Sequence, residues 1–174
     1  MNRYGYCKSE RAYLDWMRKA LRKAWLKHPV RLEMLKENRK RILNKATNRM
    51  AMHLQCEHCN AWYPQSDIEI NHKVAAGTLN LNTVGEHTNR LLNVFREDLE
   101  RLCHECHAVV TYMERSGMNE GQAKVEKQVI AFFNKYNAAE QKERMKRGGL
   151  EPAKLEALRK LQVREKLREK AGID

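Results

Sequence analysis

The sequence predicts an α+β protein in which a small β-containing centre holds most of the cysteines and lies between a basic helical arm and a charged helical extension. Three observations predict it. Residues 1–52 repeat apolar side chains at helical spacing, amid 15 Lys and Arg against 4 Asp and Glu. Residues 53–117 lose that periodicity to cysteines, histidines, turn formers and one β-prone run. Residues 118–174 return to helical spacing with acidic and basic side chains interspersed.

Taken in order, Ser9 is suited to cap a first helix whose apolar face is Leu14, Met17, Leu21 and Trp25, with Arg11, Arg18, Lys19, Arg22 and Lys23 off that face. Pro29 ends this helix or opens the next. Leu32, Leu35, Ile42 and Leu43, with Arg39, Lys40 and Arg41, then suggest a second basic helix. In the centre, residues 67–72 read as a strand, followed by a turn at Ala75, Ala76 and Gly77. Punctuation at residues 116–119 precedes a third amphipathic helix marked by Val125, Val129, Ile130 and Phe133, which Gly148 and Gly149 break. Glu151 and Pro152 start a last charged helix with a thin stripe of Leu155, Leu158, Leu161 and Leu167; such a stripe can seat against the body, pair with a partner helix, or fray.

With 174 residues the chain suits one modest core with appendages, and an aromatic content of 7% against 32% charged residues implies extensive solvated helix surface. Its net charge is +12, nearly all of it in residues 1–52, since the remainder carries 19 basic against 18 acidic residues. A one-sided field of this strength attracts a polyanion, and nucleic acid fits better than an anionic membrane because the basic segment has an ordinary amphipathic pattern. No apolar run is long enough to span a bilayer, and the N-terminal residues lack the apolar region of a secretory leader. The expected location is the cytoplasm. There the five cysteines are expected to be reduced.

Four of them form two Cys-x-x-Cys turns, Cys56 with Cys59 and Cys103 with Cys106. Four soft ligands complete the tetrahedron of a structural Zn²⁺ site and leave no position open for catalysis. A redox pair is the rival reading of one turn, but it requires neither the second turn nor the adjacent histidines. His58 and His104 lie inside the turns as substitute ligands, and Cys7 reads as a packed thiol. Asn71 and His72 end the strand, and His107 directly follows Cys106. Polar groups able to hold a hard cation, together with an imidazole able to take a proton from water, are what phosphodiester hydrolysis requires.

Together, Cys56-x-x-Cys59, the run from Ile70 through Asn71 and His72 to Leu79, and Leu102-Cys103-His104-Glu105-Cys106-His107 with Thr111 beyond resemble the zinc-bearing HNH endonucleases common in phage genomes. The resemblance covers residues 53–117. It implies a ββα-metal core, with residues 53–117 as the nuclease module, 1–52 as the basic arm and 118–174 as a helical extension. It places His72 as the general base, Asn71 and His107 as ligands of a catalytic Mg²⁺ or Mn²⁺, and Asp98 as the residue that orients His72. Asn71 stands where relatives carry a carboxylate or a second histidine, Asp98 replaces the usual Asn, and Val110 stands where many carry Lys.

The expected activity is metal-dependent DNA cleavage that leaves 5′ phosphate and 3′ hydroxyl ends, with one site nicking one strand. Arg18, Arg22, Lys40 and Arg41 are the expected DNA contacts of the arm. A monomer or weak dimer is expected, in a bacterial host's cytoplasm if the protein is phage-encoded. The alternative is a non-catalytic zinc-bound DNA-binding protein or an accessory of phage packaging proteins. Among the other polar and aromatic residues, His28, His53 and His87 read as ordinary hydrogen-bonded side chains, Glu69 as a strand carboxylate facing solvent, and Trp62 and Tyr63 as core of the hairpin.

Overall fold

The computed structural model describes residues 4–44 and 48–173, so the first residues of the N-terminal reading, Met1 to Arg3, lie outside the described residues. The fold is α+β, with two small antiparallel sheets and, among the described residues, seven α-helices. The chain divides into two compact units, one up to Cys106 and the other from His107 onward.

In the first unit, α1 (Glu10–Leu26) begins where expected: Ser9 adopts an extended conformation and its hydroxyl accepts from the Ala12 amide at 3.3 Å. Pro29 opens α2 (Pro29–Met34), with its missing N–H placed where a helix has no use for one. The expected second basic helix stops there. Asn38 takes a positive φ of 49°, which ends the helical path, and Lys40, Arg41, Ile42 and Leu43 belong instead to strand β1 (Lys40–Asn44). That strand pairs with β2 (Arg49–Gln55), which in turn pairs with β3 (Trp62–Pro64), so the edge of the expected arm at residue 52 falls inside a strand. Helical spacing among Leu32, Leu35, Ile42 and Leu43 was therefore a coincidence of a short helix followed by a strand.

Strand β4 (Ile68–His72) realises the expected β-run and pairs antiparallel with β5 (Leu99–Cys103), bringing His72 opposite Leu99 and Asn71 opposite Glu100. Between them Gly77 takes a φ of 79° at the expected turn, and α3 (Val84–Leu92) follows. Alternation drives the pairing: Ile68, Ile70, Leu99 and Arg101 are buried while Glu69, Asn71 and Glu100 are only partly so. Met34, Ile70 and Leu99 form a buried core against which Trp25, Val30, Leu35 and Val94 pack. Thus α1, α2 and the two-stranded sheet share one core, and the basic helix is built onto the central module.

Helix α4 (His104–Ser116) starts immediately after β5 and crosses the division between the units. In the second unit the expected third helix is two helices, α5 (Glu120–Lys135) and α6 (Ala138–Arg147). Asn119 and Asn137 each close a capping box with Gln122 and Glu140, and this second cap interrupts the apolar periodicity that seemed continuous to Gly148. The last helix, α7 (Glu156–Ala171), begins later than Glu151 and packs on α5, where Arg164 pairs with the buried Glu126. Leu155, Leu158 and Leu161 remain exposed. No helix among the described residues is long and apolar enough to cross a membrane.

Candidate metal centre and histidine cleft

The first Cys-x-x-Cys turn joins β2 to β3. The Cys56 amide donates to the Ala61 carbonyl and the Asn60 amide donates back to the Cys56 carbonyl, both at 2.9 Å, with Asn60 in the left-handed region at φ 59°. The second turn joins β5 to α4, and there the Cys106 amide points at the Cys103 sulfur at 3.5 Å, so a helix N-terminal amide is capped by a cysteine sulfur. The four sulfurs of Cys56, Cys59, Cys103 and Cys106 lie within 4.8 Å of one another. Tetrahedral zinc–sulfur bonds of about 2.3 Å separate the sulfurs by about 3.8 Å, so the cluster fits one Zn²⁺ with small adjustments.

The environments of the thiols suit a cation. Burial raises the Cys56 pKa. Burial and the neighbouring thiols raise that of Cys106 as well. Cys59 is held at about 7, because the Ala61 backbone and the Tyr63 hydroxyl outweigh the effect of its slight burial. Without a cation one thiolate forms at the expense of its neighbours; a divalent ion lets all four deprotonate. A metal here would tie the three-stranded sheet to the two-stranded one.

Charged side chains missed by sequence reasoning reinforce that junction. Glu57, inside the first turn, accepts from the Arg101 side chain at 3.0 Å and from Arg96 at 2.6 Å, while its amide donates to the Arg101 carbonyl at 2.8 Å. Arg96 also reaches Glu37, and the buried Arg101 donates to the Glu37 carbonyl. Burial alone would raise the Glu57 pKa, but the two arginines hold it below the ordinary value. Only the cross-chain register reveals the network, because Glu37, Glu57 and Arg101 are unremarkable in sequence.

His72 lies at the open end of β4. Its Nε2–H donates to the Leu91 carbonyl near the end of α3 at 3.1 Å. A carbonyl only accepts, so the proton resides on Nε2 and the lone pair on Nδ1. Trp25 covers one face of the ring at 4.3 Å between centroids, and His28, which donates to the next carbonyl, that of Leu92, packs on the same tryptophan at 5.5 Å. Burial, helped by the nearby His28, lowers the His72 pKa despite the opposing influence of the Leu91 carbonyl and Asp98. The imidazole lines a cleft of about 360 Å³ with Lys73, Asn89, Arg90 and Asp98.

Asp98 shares that cleft, where its charge acts on the ring. Its carboxylate accepts from the Phe95 amide at 2.8 Å, closing its own short turn, and the ring's Nε2–H goes to the Leu91 carbonyl. Asn71 donates its amide to Glu100 at 3.0 Å, across the strand pair. Because a carboxylate accepts, the Asn71 nitrogen must face Glu100, which leaves its carbonyl oxygen available for a hard cation. Glu100 thereby brings a carboxylate beside Asn71 that the sequence reading did not identify. Glu69, by contrast, accepts from His104 Nδ1 at 2.7 Å. His107 lies on the first turn of α4, the first residue of the second unit.

His53 and His87 bind backbone oxygens at 3.1 and 3.0 Å, as ordinary histidines do. Tyr63 lies beside Cys59, and Trp62 receives Lys40 over its ring at 4.2 Å. Arg18 pairs with Asp15, whereas Arg22 and Arg41 are exposed. Comparison with protein-family models, curated proteins and solved structures finds no match to this chain.

Proposed function

We propose that this protein is a metal-dependent DNA endonuclease of the HNH kind, in which β4, β5 and α4 supply the ββα-metal core. One observation carries the reading: a half-buried histidine at the end of β4, the strand whose first residue pairs with Cys103 of the cysteine cluster, has its Nε2–H tied to Leu91 and its Nδ1 lone pair free. In this reading His72 Nδ1 takes the proton of the attacking water. Its depressed pKa keeps it neutral at physiological pH, and the Leu91 bond holds the required tautomer without a change of charge. Asn71 and His107 are the residues that would hold Mg²⁺ or Mn²⁺, with Glu100 adding negative charge next to Asn71. When bound, such an ion stabilises charge on the phosphorane and on the leaving 3′ oxygen.

The exposed cations of α1 and β1 attract the phosphate backbone in this reading. Relaxation of supercoiled plasmid with added Mg²⁺ or Mn²⁺ tests the activity directly. Nicked circles are the expected product; DNA retention without nicking, with zinc present and either ion supplied, would leave a zinc-bound DNA-binding protein.

A further inference from the structure

The exposed side of α1 carries a feature that duplex attraction does not require. Tyr6 and Trp16 are large aromatic side chains left in solvent, 80% and 47% exposed. They stand edge to face at 6.4 Å, and Trp16 is stacked on Tyr13 at 5.8 Å, so three rings form a continuous outer surface. Along the same side of the helix follow Lys19, Lys23 and Lys27, at the spacing of three and four that aligns side chains on a helix. All three are exposed, and none is ion-paired among the described residues. The acidic residues of α1 are engaged elsewhere: Asp15 pairs with Arg18, and Glu10 accepts from Tyr4.

An aromatic platform that leads into a row of cations about 6 Å apart has a specific chemical complement. Stacked bases within a duplex hide their faces, so exposed rings gain little from one. An unpaired strand offers base faces to the rings and successive phosphates to the lysines. We infer that this side of α1 binds single-stranded DNA, with separate bases stacking on the Tyr6 and Trp16 rings and the adjoining phosphates following Lys19, Lys23 and Lys27. The inference rests on the nucleic-acid reading above for its ligand class. It gives the enzyme a preference for substrates with an unpaired segment, such as a branch, flap or gap.

The test is binding in the absence of added Mg²⁺ or Mn²⁺, so its outcome is independent of whether the protein cleaves. Fluorescence anisotropy would follow a labelled oligothymidylate of about twelve nucleotides and, separately, a labelled blunt duplex of similar length. Tyr6→Ala with Trp16→Ala should weaken single-strand binding by roughly 5- to 150-fold, while duplex affinity changes by less than about twofold. Trp16→Phe should retain most of the single-strand affinity but lose most of the tryptophan quenching that the oligonucleotide causes. Replacing the three lysines by Gln should lower the single-strand salt slope by about 2. Unchanged zinc content and circular dichroism verify the fold. Single-strand affinity that stays within about twofold in the double-alanine variant, or equal losses on both probes, would overturn the inference; the first result would redirect the platform to a protein partner.

Discussion

In the proposed reaction His72 acts through its free ring nitrogen, and the bond to the Leu91 carbonyl makes that nitrogen Nδ1. His72→Ala should reduce cleavage by roughly 10² to 10⁴ while zinc content and DNA affinity stay near wild type, since its contacts are the Leu91 carbonyl and the Trp25 ring, not the cysteines or an exposed cation of α1. Wild-type turnover in that variant under the same metal and pH would remove His72 from the mechanism. The pH profile carries a second test. A base works only when unprotonated, and the His72 pKa is depressed from 6.5, so activity should fall on acidification with a midpoint below that value. A midpoint well above it would assign the acidic limb to another group. Glu57 makes a corresponding demand on stability. Replacing it by Gln leaves the buried Arg101 with a neutral partner and should cost about 1.5–3 kcal/mol, read from urea unfolding at neutral pH. Because the folded Glu57 pKa is lowered, its contribution is fully present above the ordinary carboxyl range and disappears as the pH falls through the folded value, so the wild-type excess over the variant should shrink in acid.

The elements around the cysteines differ in how far sequence alone disclosed them. Two Cys-x-x-Cys turns were legible because metal chemistry constrains ligand type and spacing, and the turns bring all four sulfurs together. Strand β4 was legible from its alternation and α1 from its cap and apolar face. Strand β1 was not, because Ile42 and Leu43 fit a helical stripe until Asn38 turns the chain and β2 offers a partner. Nor could spacing foresee the orienting Leu91 carbonyl or the Asn71–Glu100 contact, which depend on α3 and on strand register. The cysteine cluster itself makes a firm prediction at this scale. Since it joins the two sheets, purified protein should hold one tightly bound zinc per chain, and Cys103→Ser should release it and unfold the first unit cooperatively. Metal analysis together with chelator-induced loss of ellipticity checks this; protein that keeps full ellipticity without zinc would make the cluster dispensable.

Across the whole molecule the net charge of +12 acts as a field, but the structure distinguishes cations exposed without a partner among the described residues from those already engaged. Arg18 pairs with Asp15 and Lys40 sits over the Trp62 ring, so each already has an intramolecular partner that competes with a phosphate. Arg22 and Arg41 are exposed and have no such competitor among the described residues. Lys40 and Arg41, as neighbours on a strand, also point to opposite sides of it, and a single duplex lying on one side of β1 would contact only one of them. Reversing Arg22 and Arg41 to Glu should therefore weaken duplex binding alike for all sequences and reduce the slope of log affinity against log salt by about 2, since each phosphate contact contributes roughly 0.9. Reversing Arg18 and Lys40 should change that slope less. Binding of one labelled duplex measured over several salt concentrations separates the two pairs. An unchanged slope after all four reversals would mean that duplex DNA is held elsewhere and that the basic side of α1 and β1 serves another ligand.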